Sequence, residues 1–346
     1  GNSLGYGGMS VLYAPHPRFA DHDPGYGHPG RPARLRAVDE GIDRAGLREA
    51  LIPVASVPAP DEALEAVHPV AYRTALSNFS VTGGGYIDGD THLGIHSWEA
   101  ASLAAGAGIE AVRRLDAGEA SAAFCAVRPP GHHALSARAM GFCLLNNVAV
   151  AAAHLADRGE RVVIVDYDAH HGNGTQDIFW SDPRVFYVSL HEWPLYPGTG
   201  RLADLGAGQG HRSTMNFPMP AGATGDVYRH AVHEVILPVV AAWKPTWVIL
   251  SAGFDGHRRD PITDLGLSSA DYADISLVLT DLVPPGRRLL FLEGGYDLEA
   301  LSLCTGAVLS ALVDDGGYRP EEPTEGGPGH GVSNAVLKNW AESADG

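Results

Sequence analysis

Five short runs, at 122–127, 162–168, 185–190, 247–253 and 289–294, are built of Val, Ile, Leu, Phe and Ala without polar alternation. A strand with one wet face alternates apolar and polar residues. A run that is apolar throughout therefore reads as a strand buried on both faces, as in a parallel sheet. Segments 98–115, 146–157, 227–243 and 269–282 lie between these runs and carry helical patterns. This alternation predicts an α/β fold with a central, mostly parallel β-sheet flanked by helices. In such sheets ligands sit beyond the carboxyl ends of the strands, so the residues that close each run are the ones to inspect for chemistry.

Composition bounds the rest. The chain has 346 residues, 45% of them apolar, enough for a large core. Its 41 acidic against 24 basic residues give a net charge of −17. Such a surface repels phosphate backbones and anionic lipid, so direct nucleic-acid binding is not expected. The three cysteines, Cys125, Cys143 and Cys304, are too scattered for a disulfide framework, which fits a reducing cytoplasm. The opening residues lack a basic-then-apolar signal pattern, and no apolar run approaches the ~18 residues of a membrane span. Neither secretion nor membrane insertion is expected. Residues 1–12 read as a flexible segment and 13–346 as one domain, with a peripheral tail from about 314 that reads as surface wrapping or partial disorder. The Gly- and Pro-rich stretch 191–226 reads as a long loop system. Assembly into a homo-oligomer stays open.

Four of the runs end in unusual residues: Arg128-Pro-Pro-Gly-His132-His133, Asp166-Tyr-Asp168-Ala-His170-His171-Gly-Asn173, Ser251-Ala-Gly-Phe-Asp255 and Glu293-Gly-Gly-Tyr296. Asp168 and His170, two apart at a strand end, offer a carboxylate oxygen and an imidazole nitrogen on the same side. Asp255, closing another strand, completes an Asp2His set that leaves positions open for water and substrate, as a catalytic zinc requires. Singly, each of these motifs also serves as an ordinary strand-to-loop turn; together they point to a metal. His132 and His133 follow a stiff Pro-Pro-Gly and are suited to share proton transfer, with Asp166 holding one ring in a fixed tautomer. Two loop histidines on the surface are the plainer alternative. Tyr296 follows two glycines that permit close backbone approach, where a phenol can meet a developing oxyanion.

Jointly these segments resemble the histone deacetylase family, including acetylpolyamine amidohydrolases and bacterial deacetylase-like proteins. The likeness runs from about Tyr13 to Ala311 and is densest in RPPGHHA, GFCLLNNVAVAA, VVIVDYDAHHGNGTQDIF and VSLHEWPLYPGTG. It implies an arginase-like fold and a zinc-dependent amidohydrolase that releases acetate from an N-acetyl amine. By motif, Asp168, His170 and Asp255 would bind one zinc ion. Tyr296 would polarise the acetyl carbonyl, His133 would act as base and then acid, and His132, backed by Asp166, would stabilise charge. Asn173 stands where some branches place Asp, the class II pattern. Gly141, Phe142 and Tyr196 resemble the walls of the acyl-lysine tunnel, Tyr196 where Phe is frequent. A structural potassium ion would sit near Asp166, Asp168, His170, Ser189 and Leu190. Arg34 resembles the arginine near an internal acetate channel, with Gly30 replacing a frequent Glu. Ile262 occupies the position where a polyamine-selective branch has Glu, and Asp90 in Asp88-Gly-Asp90-Thr-His reads either as a rim group accepting hydrogen bonds from substrate or as a solvated turn.

Two further readings compete. A ureohydrolase of the arginase type needs two metal ions, but its second-metal ligand positions are here Gly172 and Gly253, which carry no ligating side chain. A catalytically weak acyl-lysine binder would lack the tyrosine present at 296. Substrate class stays open between acetyl-lysine in proteins, acetylated polyamines and small acetylated amines.

Overall fold

A computed structural model describes residues 10–313 and 316–345. Ten strands are present among them: β1 Val11–Tyr13, β2 Leu51–Pro53, β3 Gly85–Tyr86, β4 His92–Leu93, β5 Ala122–Cys125, β6 Val162–Asp166, β7 Val185–Glu192, β8 Thr214–Met219, β9 Trp247–Ala252 and β10 Arg288–Leu292. Eight of them form one sheet in the order β2-β1-β5-β10-β9-β6-β7-β8, and every pairing in it is parallel. β3 and β4 make a separate antiparallel pair.

The sheet explains the unbroken apolar runs. Along β6, Val163 and Val165 feed one core while Val162 and Ile164 feed the other, and β10 divides the same way, Leu290 and Leu292 against Leu289 and Phe291. Helices Ala33–Arg44, Ser269–Thr280 and Leu298–Leu312 cover the first face; Ser97–Asp116 and Asn147–Ala156 cover the second. Both faces are therefore dry, and each strand position must be apolar. Local signals fix the helix starts. The Asn146 side chain accepts the Ala149 N–H, and Ser268 with Asp271 forms a capping box ahead of Ser269–Thr280.

Five short strands went unseen: β1, β2 and β8 in the main sheet, the last inside the stretch read as a loop system, and the separate pair β3 and β4. The segment taken as flexible, 1–12, overlaps β1: Val11 and Leu12 are fully buried between β2 and β5, so the sheet begins two residues earlier than position 13. Residues 1–9 lie outside the described residues. The tail beyond 315 is pinned rather than loose. Glu321 accepts from His257 Nε2, the Ser269 N–H and Arg258, each at 2.8 Å. Helix Gly331–Glu342, also unforeseen, packs Trp340 against Phe186, their ring centroids 5.8 Å apart. No helix among the described residues is long and apolar enough to cross a membrane.

Candidate active site

β6 and β9 are hydrogen-bonded neighbours with Asp166 opposite Ser251, so the residues just past their ends emerge side by side. Both strands stop earlier than the apolar runs, at Asp166 and Ala252, which leaves Asp168, His170 and Asp255 on the loops beyond the sheet. Each loop is locked by its own backbone. Asp166 Oδ1 accepts the Asp168 N–H (3.1 Å), Asp168 Oδ1 accepts the His170 N–H (2.9 Å), and Asp255 Oδ1 accepts the Ala169 N–H (2.7 Å). The Gly294 N–H at the end of β10 donates to Asp168 Oδ2 (2.7 Å). These bonds turn the ligand atoms of Asp168, His170 and Asp255 toward one point, all within 4.8 Å of one another and all buried.

That donor set fits a divalent cation. His170 Nδ1 lies 2.8 Å from Asp255 Oδ2 and 3.4 Å from Asp168 Oδ1. Burial alone would keep this imidazole neutral, yet hydrogen bonds to Asp168 and Asp255 push its pKa up to about 10. Burial and the Asp168 charge push Asp255 up to about 7. Two dry carboxylates demand positive charge between them, and a metal satisfies it with two anionic ligands and one imidazole. A second ligating side chain has no room here. A Cβ on Gly253 would overlap the Asp168 carboxylate, and one on Gly172 would overlap that of Asp166 while standing 2.5 Å from Tyr187 Oη.

The two histidines differ in environment. His132 Nδ1 pairs with Asp166 Oδ2 at 2.8 Å, a carboxylate that also accepts from Tyr187 Oη at 3.0 Å. Burial opposes charge on His132, but Asp166, Asp168 and Glu293 outweigh it and raise its pKa well above that of a free histidine. His133 Nδ1 donates to the neutral Asn173 Oδ1 at 2.8 Å. Burial, then the charges of His132 and His170, hold His133 well below the ordinary value. One ring is thus held cationic and its neighbour neutral, with centroids 4.1 Å apart.

His133, His170 and Tyr296 line a cavity of about 230 Å3 together with Asp90, Gly141, Phe142, Tyr196 and Ile262. All five residues expected at a substrate tunnel therefore come together. Gly141 and Phe142 both take positive φ, 56° and 70°. For Phe142 this conformation is strained and is held by the Thr91 hydroxyl, which accepts its N–H at 3.1 Å. At Gly141 any Cβ would strike the His133 ring at 2.5 Å. Tyr196 stands edge-on to His133 at 5.5 Å and Phe142 edge-on to Tyr296 at 5.9 Å, which narrows the cavity. Burial keeps the Tyr296 phenol protonated. Of the expected potassium residues, His170 lines this cavity, and Ser189 lies opposite Asp166 across the β6–β7 pair with its hydroxyl 2.8 Å from His191 Nδ1.

Three supporting residues were missed or left without a role. Glu293, fully buried, accepts the Gly131 and His132 N–H groups (2.9 and 3.2 Å) and the Ser251 hydroxyl (3.1 Å), tying three strand ends together. An acidic residue closing a wholly apolar strand was its only sequence signal. Asp260 accepts the Tyr296 and Ile262 N–H groups (2.9 and 3.0 Å) and so joins the tyrosine to the cavity mouth. Arg128, buried, donates to the carbonyls of Gly30 and Phe19 as well as His22. Arg34 lies beneath the tyrosine, donating to the Gly295 and Glu293 carbonyls at 2.6 Å, with its guanidinium 5.2 Å from the Tyr296 ring centroid.

Residues 28–312 match the model of the histone deacetylase domain. The chain belongs to the histone deacetylase family. A probable deacetylase of Archaeoglobus fulgidus is 37% identical over 321 residues, covering 88% of this chain and 89% of that protein. The histone deacetylase-like amidohydrolase of Pseudomonas aeruginosa is 35% identical over 292 residues, 83% of this chain and 77% of the relative. The crystal structure of the HDA15 HD domain superposes with a TM-score of 0.86 at 34% identity, covering 97% of this chain and 94% of that one. Histone deacetylase-family membership makes the chain a hydrolase, and the site just described lies within the matched residues.

Proposed function

We propose that this chain is a zinc-dependent deacetylase that hydrolyses an N-acetyl amide, acetyl-lysine or a similar acetylated amine, to acetate and free amine. The observation that carries this reading is the convergence of Asp168, His170 and Asp255 at a cavity that His133 and Tyr296 also line. Asp168, His170 through Nδ1, and Asp255 would hold the zinc, which when bound supplies Lewis-acid polarisation of the acetyl carbonyl and acidifies water. A potassium ion held beside Asp166, Asp168, His170, Ser189 and Leu190 would be structural.

The protein's own groups supply the rest. With its Nδ1–H committed to Asn173, His133 presents a free Nε2 to the cavity, and its neutral state suits a base that takes a proton from the attacking water. The same ring then returns that proton to the departing amine nitrogen. Tyr296, protonated, donates its O–H to the carbonyl oxygen as negative charge grows there. His132, held cationic over Asp166, stabilises that charge from behind without needing to exchange a proton. Phe142 and Tyr196 flank the slim stem of the acetylated chain and exclude water from it.

Replacing Tyr296 by Phe removes one donor to the oxyanion, a change that typically costs ~10²- to 10³-fold in turnover. The variant is expected to fold, bind zinc at wild-type stoichiometry and lose acetate release by that factor. Turnover within a few-fold of wild type would refute the role.

A further inference from the structure

Beside the cavity runs a second depression of about 520 Å3, lined by Tyr72, Ala75, Leu76, Phe79, Ile87, Asp88, Ala137, Arg138 and Ala139. Its floor is apolar, supplied by helix Val70–Val81 on one side and the 137–139 segment on the other. Cavity and groove are built from neighbouring residues of the same two segments. The turn that gives the cavity Asp90 gives the groove Asp88, whose carboxylate accepts the Asp90 N–H at 3.1 Å. The segment that gives the cavity Gly141 and Phe142 gives the groove Arg138 and Ala139, and it is folded back on itself by the Leu135–Arg138 and Met140–Cys143 bridges.

Both the cavity and the groove leave large apolar side chains in solvent. Tyr196 and Ile262 are 41% and 38% exposed at the cavity, Phe79 and Ile87 37% and 41% exposed at the groove. A partly apolar depression that adjoins a reaction cavity is a candidate ligand contact.

We propose that this groove receives an apolar side chain of a polypeptide substrate, flanking the acetylated lysine whose stem fills the cavity. The assignment rests on the deacetylase reading above and narrows its substrate class to peptides. An acetylated polyamine offers the groove only ammonium groups and short methylene links, which gain nothing from Phe79, Ile87 and Leu76. A polypeptide places its neighbouring side chain within reach of them while Asp88 and Arg138 meet backbone polar groups or charges beside it.

The test compares two five-residue peptides carrying one acetyl-lysine, one flanked by leucines and one by glycines, with an acetylated polyamine as third substrate. Acetate release is measured on the zinc-loaded full chain, and peptide affinity is measured separately by fluorescence anisotropy. Variants Phe79→Ser and Ile87→Ser alter exposed groove positions away from the reacting atoms. The wild type is expected to favour the leucine peptide by about tenfold in kcat/KM and in affinity. Each variant should erase most of that preference and leave the glycine peptide unchanged. Equal handling of the two peptides by the wild type, survival of the preference in both variants, or faster turnover of the polyamine would overturn the proposal. No acetate from any substrate, with the tenfold affinity difference intact, would sink the hydrolase reading and leave the groove standing. A dimer in sedimentation that dissociates in both variants would reassign the groove to a second copy of the chain.

Discussion

Gly294 gives the sharpest test of the metal geometry, because it perturbs the ligands without altering any of them. A Cβ at this position would stand 2.5 Å from Asp255 Oδ2 and 2.7 Å from Asp168 Oδ2. Relieving the first contact to the 3.0 Å that real Cβ atoms respect moves Asp255 Oδ2 by about 0.5 Å. Neither carboxylate is free to yield: Asp168 Oδ2 accepts the Gly294 N–H and Asp255 Oδ1 accepts the Ala169 N–H, both at 2.7 Å. Metal sites tolerate about 0.2 Å in ligand distance, so this displacement exceeds what one ion can bridge. Gly294→Ala should weaken zinc binding by about 10- to 100-fold, the range seen when groups supporting a ligand set are disturbed. Overpacking should cost about 1–3 kcal/mol of stability, which leaves the fold intact. Titration calorimetry of the metal-free protein against zinc, with circular dichroism for folding, reads both effects. Gly331→Ala, where nothing lies within 4 Å, is the control. Wild-type zinc affinity in a folded Gly294→Ala would refute the claim that Asp168 and Asp255 form the site.

Further outcomes follow from the same geometry. Asn173→Asp sets a carboxylate against His133 Nδ1 and should raise that imidazole's pKa by about one to three units. The base works deprotonated, so the acid limb of kcat/KM moves to higher pH by the same amount; an unmoved limb would exclude His133 as the base. Removing zinc by chelation should lower the melting temperature, and zinc at a hundredfold excess over Kd should restore about 2.7 kcal/mol. Asp255→Ala should show no such gain, and a full gain would overturn its place in the ligand set. Burial alone would raise the Glu321 carboxyl, but hydrogen bonds from His257 and Ser269 outweigh it and hold the group well below the usual carboxylate range. A depressed carboxyl stabilises the fold above its unfolded pKa of about 4.3 and loses that contribution as pH falls below it. Glu321→Gln should therefore flatten the wild-type fall in melting temperature below about pH 4.3, and an unchanged slope would show that the tail contact does not contribute.

Much of the core was legible because burial on both faces leaves its mark on every residue of a strand. β5, β6, β7, β9 and β10 all fall within or against the five apolar runs, and helices Ser97–Asp116 and Asn147–Ala156 within a residue of their patterns. β1, β2 and β8 were not legible. β1 and β2 hold three residues each, too few for a pattern to declare itself, and in β8 Asn216 and Pro218 interrupt the apolar run inside a Gly- and Pro-rich stretch. Helix Gly331–Glu342 was hidden by the Gly- and Pro-rich stretch before it, and its packing on Phe186 is a contact at a separation no local pattern records.

The site divides along the same physical line. Chemical identity is local, so the residue types at 132, 133, 168, 170, 255 and 296 could be named as candidates from the chain alone, and the glycines at 172 and 253 already spoke against a second metal. Convergence is not local. Only the parallel pairing of β6 with β9 and of β9 with β10 brings Asp168, His170, Asp255 and Gly294 within reach of one ion, and only the carboxylates folded around His132, against the neutral Asn173 beside His133, set the two buried rings apart in charge. Glu293, Asp260 and Arg34 do their work through backbone groups of distant segments, which depend on where the chain passes rather than on which side chains it carries. The sequence supplied the reacting groups; the sheet register and the dry interior decided that they meet, and with what charge.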